Sequence, residues 1–211
     1  MQLYEKYRPQ TLDDFIGQDK VKRQVAAIMA RPEWDRDALW IQGPSGTGKT
    51  TLAWIIARQV AHDFDIIELD GDKCSVQAVR EIEHNIGLCP MFGRWKVWIV
   101  NEAHAMSRQA VQAWLTLLER LPAKRLIIFT TTASLQEDLF GDFSGPFGRR
   151  CKLMTFTNQG LAQVFATRAQ QIAQAEHLDG KPLPAYLRLV QEAKNNLGAV
   201  LQRIEGGEML V

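Results

Sequence analysis

The chain has 211 residues, of which 46% are hydrophobic and 23% are charged, as is ordinary for a globular protein. Its 25 Lys and Arg against 24 Asp and Glu give a formal net charge of +1, which excludes a strong overall attraction to polyanions, so any contact with nucleic acid must be local. No apolar run approaches the roughly 20 residues of a membrane span, so we expect a cytoplasmic protein without membrane contact. The 3 cysteines and 4 histidines lack the spacing of a zinc site, so we expect the protein alone to bind no metal.

Hydrophobic periodicity predicts alternating strands and helices through the first part of the chain. A helix is predicted over 21–29, and a short buried strand at 39–42 leads through GPSGTGKT directly into a second helix that carries Leu52 and Ile56. Further strands are predicted at 64–69, 96–100, 125–131 and 152–156, with a helix at 76–86 and another capped by Ser107. This alternation predicts an α/β fold, with a mostly parallel sheet covered by helices on both faces.

After residue 156 the pattern changes to helices alone. Three amphipathic stripes follow one another, the first around Phe165, the second around Tyr186 and the third around Val200. We therefore predict a sheet domain over residues 1–156 and a small helical domain over 157–211.

Residues 43–50 match the pattern G-x-x-x-x-G-K-T in full. Backbone N–H groups of such a loop surround phosphate oxygens, Lys49 reaches the β- and γ-phosphates, and the Thr50 hydroxyl can ligate Mg²⁺. Because the loop also follows a predicted strand and opens a predicted helix, it predicts a nucleotide site. The residues expected to contact the nucleotide are Pro44, Ser45, Gly46, Thr47, Gly48, Lys49, Thr50 and Thr51.

A second polar element follows the predicted strand KVWIV. Asn101 and Glu102 come directly after it, where a nucleotide site commonly has acidic residues that handle magnesium and water. Asn101 is a neutral amide that can hold a hydrating water but gives no charge to the cation. Glu102 is a candidate general base, with an ordinary surface glutamate as the alternative.

Several segments together resemble the AAA+ ATPases of the clamp-loader group, which includes replication factor C small subunits and the bacterial polymerase III clamp-loader ATPase. They are YEKYRPQTLDDFIGQ at 4–18, the GPSGTGKT loop, ELD at 68–70, NEAH at 101–104 and Arg150-Cys151. The resemblance runs in order over about residues 2–206. It implies binding of ATP and Mg²⁺, a lid formed by the C-terminal helices, and assembly into a homo- or hetero-oligomer through AAA+ faces. It also implies DNA and a sliding clamp or another replication protein as partners.

The resemblance also assigns roles to individual residues. Tyr7, Arg8, Pro9, Ile16 and Gly17 match the segment around the adenine, although an aromatic and a proline here could instead staple the first helix. Thr132 matches the polar residue that senses the γ-phosphate or positions water, with a turn cap as the alternative. Arg150 matches the arginine finger that enters the neighbouring subunit's ATP site, with a solvated surface charge as the alternative.

The chain departs from the family pattern at several places. Besides Asn101, Gly198 stands where the family lid has a sensing arginine, with Arg203 only nearby in sequence. The segment 139–148 before Arg149 is longer and richer in glycine than its family counterpart. The family's helical collar domain has no counterpart after the third helix, so we expect assembly to rest on the AAA+ faces or on another subunit.

The sequence leaves three functions open. The first is a clamp-loader-like ATPase acting on DNA or a DNA-bound replication protein, with hydrolysis that is slow because of Asn101. The second is a branch-migration or recombination-associated AAA+ motor, and the third is a non-hydrolysing, ATP-gated structural subunit. Basic residues that would meet DNA according to the resemblance are Lys73, Arg80, Arg94, Lys96 and Arg108, each of which could equally be a solvated charge.

Overall fold

The computed structural model describes residues 1–132 and 147–210, so residues 139–146 of the glycine-rich segment lie outside the described residues. The strands are β1 (Arg36–Gln42), β2 (Ile66–Asp70), β3 (Lys96–Asn101), β4 (Arg125–Thr131) and β5 (Lys152–Thr155). They pair in parallel in the order β2-β3-β4-β1-β5, which places β1 between β4 and β5.

Eight α-helices accompany the sheet in the described part of the chain. They are α1 (Leu3–Lys6), α2 (Asp19–Met29), α3 (Lys49–Val60), α4 (Val76–Asn85), α5 (Arg108–Glu119), α6 (Ala162–Ala175), α7 (Leu183–Glu192) and α8 (Leu197–Glu205). Side-chain caps start three of them: the Ser75 hydroxyl accepts from the Ala78 N–H, Ser107 caps α5 as predicted, and Asn196 caps α8.

Alternate residues of each central strand belong to different cores on the two faces of the sheet. On β1, Leu39 and Ile41 pack in one core with α2 and α3, whereas Ala38 and Trp40 pack in the other core with α4 and α5. A strand buried on both faces explains the continuous hydrophobic runs in the sequence. The predicted α/β architecture, a parallel sheet covered on both sides, is confirmed.

The three C-terminal helices pack around a separate apolar cluster, which includes Phe165, Tyr186 and Ile204. Leu3 of α1 is also buried in this cluster, and α1 lies against α8. The first residues of the chain thus pack with its last helices. The domain boundary after residue 156 stays a prediction.

Strand β2 begins two residues later than predicted. Residues Asp63–Asp65 form a 3₁₀ turn instead, and the buried Asp65 carboxylate accepts the N–H groups of Met91 at 2.8 Å and Phe92 at 3.2 Å. Phe64, expected in the strand, is 73% exposed. A buried carboxylate that satisfies two backbone donors outweighs the β-propensity of the phenylalanine here.

None of the helices within residues 1–132 and 147–210 combines the length and apolarity that crossing a lipid bilayer requires.

Replacing Ile128 with alanine should destabilise the protein by about 2–5 kcal/mol, because Ile128 is fully buried in β4 and truncation leaves a cavity. The free energy of unfolding, measured by denaturant titration with circular dichroism, tests this. The matched control is Val164→Ala on α6, where the side chain is 45% exposed and the change should be within about 0.5 kcal/mol. Equal losses in both variants would contradict the packing described here.

Candidate functional site

The phosphate-binding pattern forms a loop between the end of β1 and the start of α3. Gly48 has φ +94° and precedes the first turn of α3, and a Cβ atom at this position would lie 2.9 Å from the Phe15 ring. At Gly46, φ is +75°, and a Cβ atom would lie 2.2 Å from the side chain of Asn196. Both positions therefore require glycine for conformation and for space.

Lys49 lies buried beneath this loop. Its ammonium donates to the backbone carbonyls of Gly43 at 2.8 Å and Pro44 at 2.9 Å. Burial lowers the pKa of Lys49, while the charge of Glu102 acts in the opposite direction. Among residues 1–132 and 147–210, the hydrogen-bond acceptors of the Lys49 ammonium are these two neutral carbonyls, and an anionic phosphate oxygen would be a stronger acceptor.

The Asn101 side chain forms hydrogen bonds with residues of α3, β2 and β4. Its Oδ1 accepts from the Thr50 hydroxyl at 3.1 Å and from the Thr130 hydroxyl at 2.9 Å, and its Nδ2 donates to Glu68 Oε1 at 2.6 Å. These groups meet because β2, β3 and β4 are parallel neighbours that end at the same edge. The structure therefore brings together Thr50 and Asn101, two residues that the sequence analysis assigned to the site separately.

Glu102 and Thr132 also meet at this edge. The Thr132 hydroxyl donates to Glu102 Oε2 at 3.2 Å, and His104 Nδ1 lies 3.3 Å from the same oxygen. His104 Nδ1 also lies 3.0 Å from the Thr131 hydroxyl. Glu102 itself adopts a left-handed backbone conformation, φ +47°, and its side chain is about half exposed. Such a carboxylate is accessible to water and fixed in direction, as a general base must be.

A cavity of about 560 Å³ opens beside the loop, within the size range of small-molecule sites. Tyr7, Arg8, Pro9 and Ile16 line it, together with residues 45–51 and Glu102, and the contact of the first four with an adenine stays a prediction. Two predicted residues have other contacts: Gly17 packs against Leu161, and Pro44 accepts the hydrogen bond from Lys49.

The cavity also has walls that sequence reasoning missed. Phe15, Phe165, Arg168 and Asn196 line it. Arg168 lies with its guanidinium 5.9 Å from the centre of the Tyr7 ring. Phe15 lies within the segment 4–18 that carries the resemblance, although no role was assigned to it there. No local motif marks Phe165, Arg168 and Asn196, because they reach the cavity only when the C-terminal part of the chain packs over the loop. Glu68, the partner of Asn101, lies in the ELD segment, and its sequence position alone gives no sign of this contact.

The lid positions differ in their surroundings. Gly198 lines the cavity, as expected for the residue at the sensing position. Arg203 instead pairs with Glu192 at 2.9 Å and with Glu208, and these hydrogen bonds raise its pKa. The guanidinium of Arg203 is therefore engaged within the C-terminal helices.

The structure does not bring Arg150 into the cavity of its own chain. Arg150 precedes β5 and pairs with Glu119 of α5, whereas the phosphate loop follows β1. Because β1 and β5 are parallel, the segment before β5 and the loop after β1 lie at opposite ends of the strands. The predicted role in a neighbouring subunit stays a prediction.

Three of the five basic residues proposed to meet DNA have contacts within the protein. Lys73 pairs with Asp70 at 2.9 Å, Arg94 donates to the carbonyl of Gln59, and the Lys96 ammonium lies 5.7 Å from the centre of the Trp98 ring. Arg80 and Arg108 are exposed on α4 and α5. Contact with DNA stays a prediction.

The residues present fit a magnesium ion that is bound together with a nucleotide. Within the described ranges, no group of three or more His, Cys, Asp or Glu side chains is placed to hold a metal ion. The Thr50 hydroxyl and the Asn101 amide oxygen are nevertheless hard oxygen donors, and Mg²⁺ usually combines few protein ligands with phosphates and water.

The amino-acid sequence matches a known protein family and several known proteins. The family model described as DNA polymerase III, delta subunit, matches residues 22–139, more than half of the chain. The chain is 31% identical over 152 residues to DNA polymerase III subunit gamma/tau of Mycoplasma pneumoniae, covering 62% of this chain and 22% of that protein. It is 32% identical over 155 residues to the gamma subunit of Buchnera aphidicola, covering 62% of this chain and 42% of the relative. The matched region is therefore less than half the length of either relative.

The fold also resembles a solved structure. The Thermotoga maritima RuvB Holliday junction branch migration motor superimposes with a TM-score of 0.68 at 20% identity, covering 94% of this chain and 64% of that one. At this identity the likeness concerns the fold alone. On the family match and the relatives together, the chain belongs to the DNA polymerase III, delta subunit family, within the clamp-loader group of AAA+ proteins.

Proposed function

We propose that the chain binds ATP with Mg²⁺ in the cavity beside the phosphate loop and hydrolyses it slowly within an oligomer, in a clamp-loader-like role on DNA or on a DNA-bound replication protein. The observation that carries the proposal is the convergence of Lys49, Thr50, Asn101, Glu102 and Thr132 at one edge of the sheet beside a cavity of nucleotide size. The family membership supports the same activity.

Each residue has a distinct task in this proposal. Lys49, which now bonds two loop carbonyls, would hold the β- and γ-phosphate oxygens, and the Thr50 hydroxyl would be a ligand of the metal ion. Mg²⁺, when bound, neutralises the developing charge on the phosphates. Glu102 accepts the proton of the attacking water, and Thr132, which already bonds that carboxylate, orients it. Tyr7, Pro9 and Ile16 contact the adenine.

In this proposal Arg150 acts as an arginine finger between subunits. Arg150 lies at the opposite end of the strands from the cavity of its own chain, a position that suits insertion into the site of an adjacent subunit. Its present partner, Glu119, would be exchanged for the γ-phosphate, where a guanidinium stabilises the charge of the transition state.

A second candidate is an ATP-gated structural subunit that binds ATP without turnover. The neutral Asn101 at the end of β3, hydrogen-bonded to Thr50, favours it, as does Gly198 in the cavity wall in place of a sensing arginine. The branch-migration alternative has the fold likeness alone, and stimulation of hydrolysis by a four-way junction rather than by primer-template DNA would support it.

Lys49→Ala should weaken ATP binding by about 10- to 100-fold, because a charged donor to the phosphates is lost. Equilibrium binding of a fluorescent ATP analogue measures this, and steady-state hydrolysis should fall to the background with it. Lys20→Ala, at an exposed position on α2, is the matched control and should bind like the wild type. Unchanged binding in Lys49→Ala would rule out the proposed site.

Glu102→Gln should keep ATP affinity within a few-fold and lower turnover by about 10²- to 10⁴-fold, since the general base is lost while its shape remains. The two quantities are measured by equilibrium binding and by phosphate release. If turnover in Glu102→Gln equals that of the wild type, another group must activate the water. If the wild type binds ATP but releases phosphate no faster than Lys49→Ala, the structural-subunit function replaces the ATPase.

Arg150→Ala should leave ATP binding intact and abolish the rise of specific activity with protein concentration, a loss of about 10³-fold or more for a finger acting between subunits. Hydrolysis across a concentration series, with and without primer-template DNA, tests this. The neighbouring Arg149→Ala is the matched control, because it removes the same charge one residue away. Identical profiles for the two variants would disprove a specific role for Arg150.

A further inference from the structure

The Glu68 carboxylate is hydrogen-bonded to the side chain of Asn101. Its Oε1 accepts two hydrogen bonds, from Asn101 Nδ2 at 2.6 Å and from the Trp54 indole N–H at 3.1 Å. Trp54 follows Thr50 by one turn of α3, so Glu68 is fixed between the loop helix and the end of β3. The carboxylate is thus held by two donors on two different elements.

This contact fixes which way the Asn101 amide faces. With its NH₂ group toward Glu68, the amide directs its oxygen to the hydroxyls of Thr50 and Thr130. The reversed amide would set its oxygen against the carboxylate oxygen at 2.6 Å, with no proton between them. The charge of Glu68 therefore keeps an oxygen, rather than an NH₂ group, on the side of Thr50.

The hydrogen bond between Glu68 and Asn101 places a negatively charged group close to the proposed Mg²⁺ site. Asn101 is neutral, and Glu68 is the carboxylate bonded to it on the side away from Thr50. We propose that Glu68 is the acid of the Mg²⁺ site: it supplies, from β2 and through the amide of Asn101, the charge that Asn101 itself lacks. The inference rests on the proposed ATP and Mg²⁺ binding and assigns Glu68 as a positioning residue for that site.

The isosteric change Glu68→Gln separates charge from structure. The glutamine oxygen can still accept from Asn101 and Trp54, so the hydrogen bonds remain while the charge is lost. A merely structural role predicts no effect specific to magnesium. A charge role predicts weaker binding of the nucleotide with Mg²⁺ and unchanged or tighter binding without it, because the lost carboxylate no longer repels the phosphates.

The experiment compares the dissociation constant of a non-hydrolysable fluorescent ATP analogue in EDTA with that in saturating Mg²⁺. In Glu68→Gln the gain in affinity from Mg²⁺ should shrink by about tenfold, as expected for removing one charge near a divalent ion at a partly exposed site. Glu83→Gln, an exposed carboxylate on α4, removes the same charge elsewhere and should behave as the wild type.

The double variant Glu68→Gln with Asn101→Asp moves the charge to position 101. The introduced glutamine can then donate its NH₂ group to the introduced carboxylate, whose other oxygen still faces Thr50, so the gain from Mg²⁺ should return to at least the wild-type value. Failure of this rescue would overturn the proposal, as would an unchanged gain in Glu68→Gln or equal weakening with and without Mg²⁺.

Failure of the underlying function gives a different result. If the wild type binds the analogue no better than Lys49→Ala in either EDTA or Mg²⁺, the nucleotide site itself is wrong, and the role of Glu68 is overturned with it. Binding in EDTA that depends on Lys49 keeps the two questions separate.

Discussion

The parallel pairing of β1, β3 and β4 is the constraint on which the rest of the site depends. Parallel strands end at a common edge, and here the three adjacent ends carry the phosphate loop, Asn101 with Glu102, and Thr130 to Thr132. The bonds of Thr130 to Asn101 and of Thr132 to Glu102 join the ends of β4 and β3, and Asn101 also bonds Thr50 at the start of α3. A shift of one residue in the register of β3 against β4 would turn Asn101 to the opposite face and break its bond to Thr50.

The polar groups at this edge form hydrogen bonds with one another. Lys49 bonds two loop carbonyls, Thr50 bonds Asn101, and Thr132 bonds Glu102. Leaving the buried Lys49 ammonium without acceptors would cost about 1–3 kcal/mol or more, so its two carbonyl partners stabilise a charged group beside the cavity. In the proposed function, nucleotide binding is an exchange of partners in which the two carbonyl acceptors of Lys49 give way to charged phosphate oxygens.

Much of this could be predicted from the sequence, because strand, loop and helix leave strong local patterns. The alternation of hydrophobic runs predicted the sheet, with β4 placed at its observed bounds, and the glycine pattern located the residues around Lys49 and Thr50. What the sequence could not provide depends on contacts distant in the chain. Arg168 and Asn196 reach the cavity from helices whose position over the loop has no local signature. The late start of β2 depends on a carboxylate that bonds residues 26 and 27 positions further on.

The contact between Asn196 and Gly46 has a mechanical consequence. Asn196 caps α8 through its side-chain oxygen, and the same side chain fills the space where any residue other than glycine at position 46 would place its Cβ atom. The start of α8 and the middle of the phosphate loop are therefore in steric contact, so neither can move toward the other without displacing it. The C-terminal helices can thus respond to the shape of the loop through steric contact, a coupling that depends on the bulk of one amide and requires no arginine at position 198.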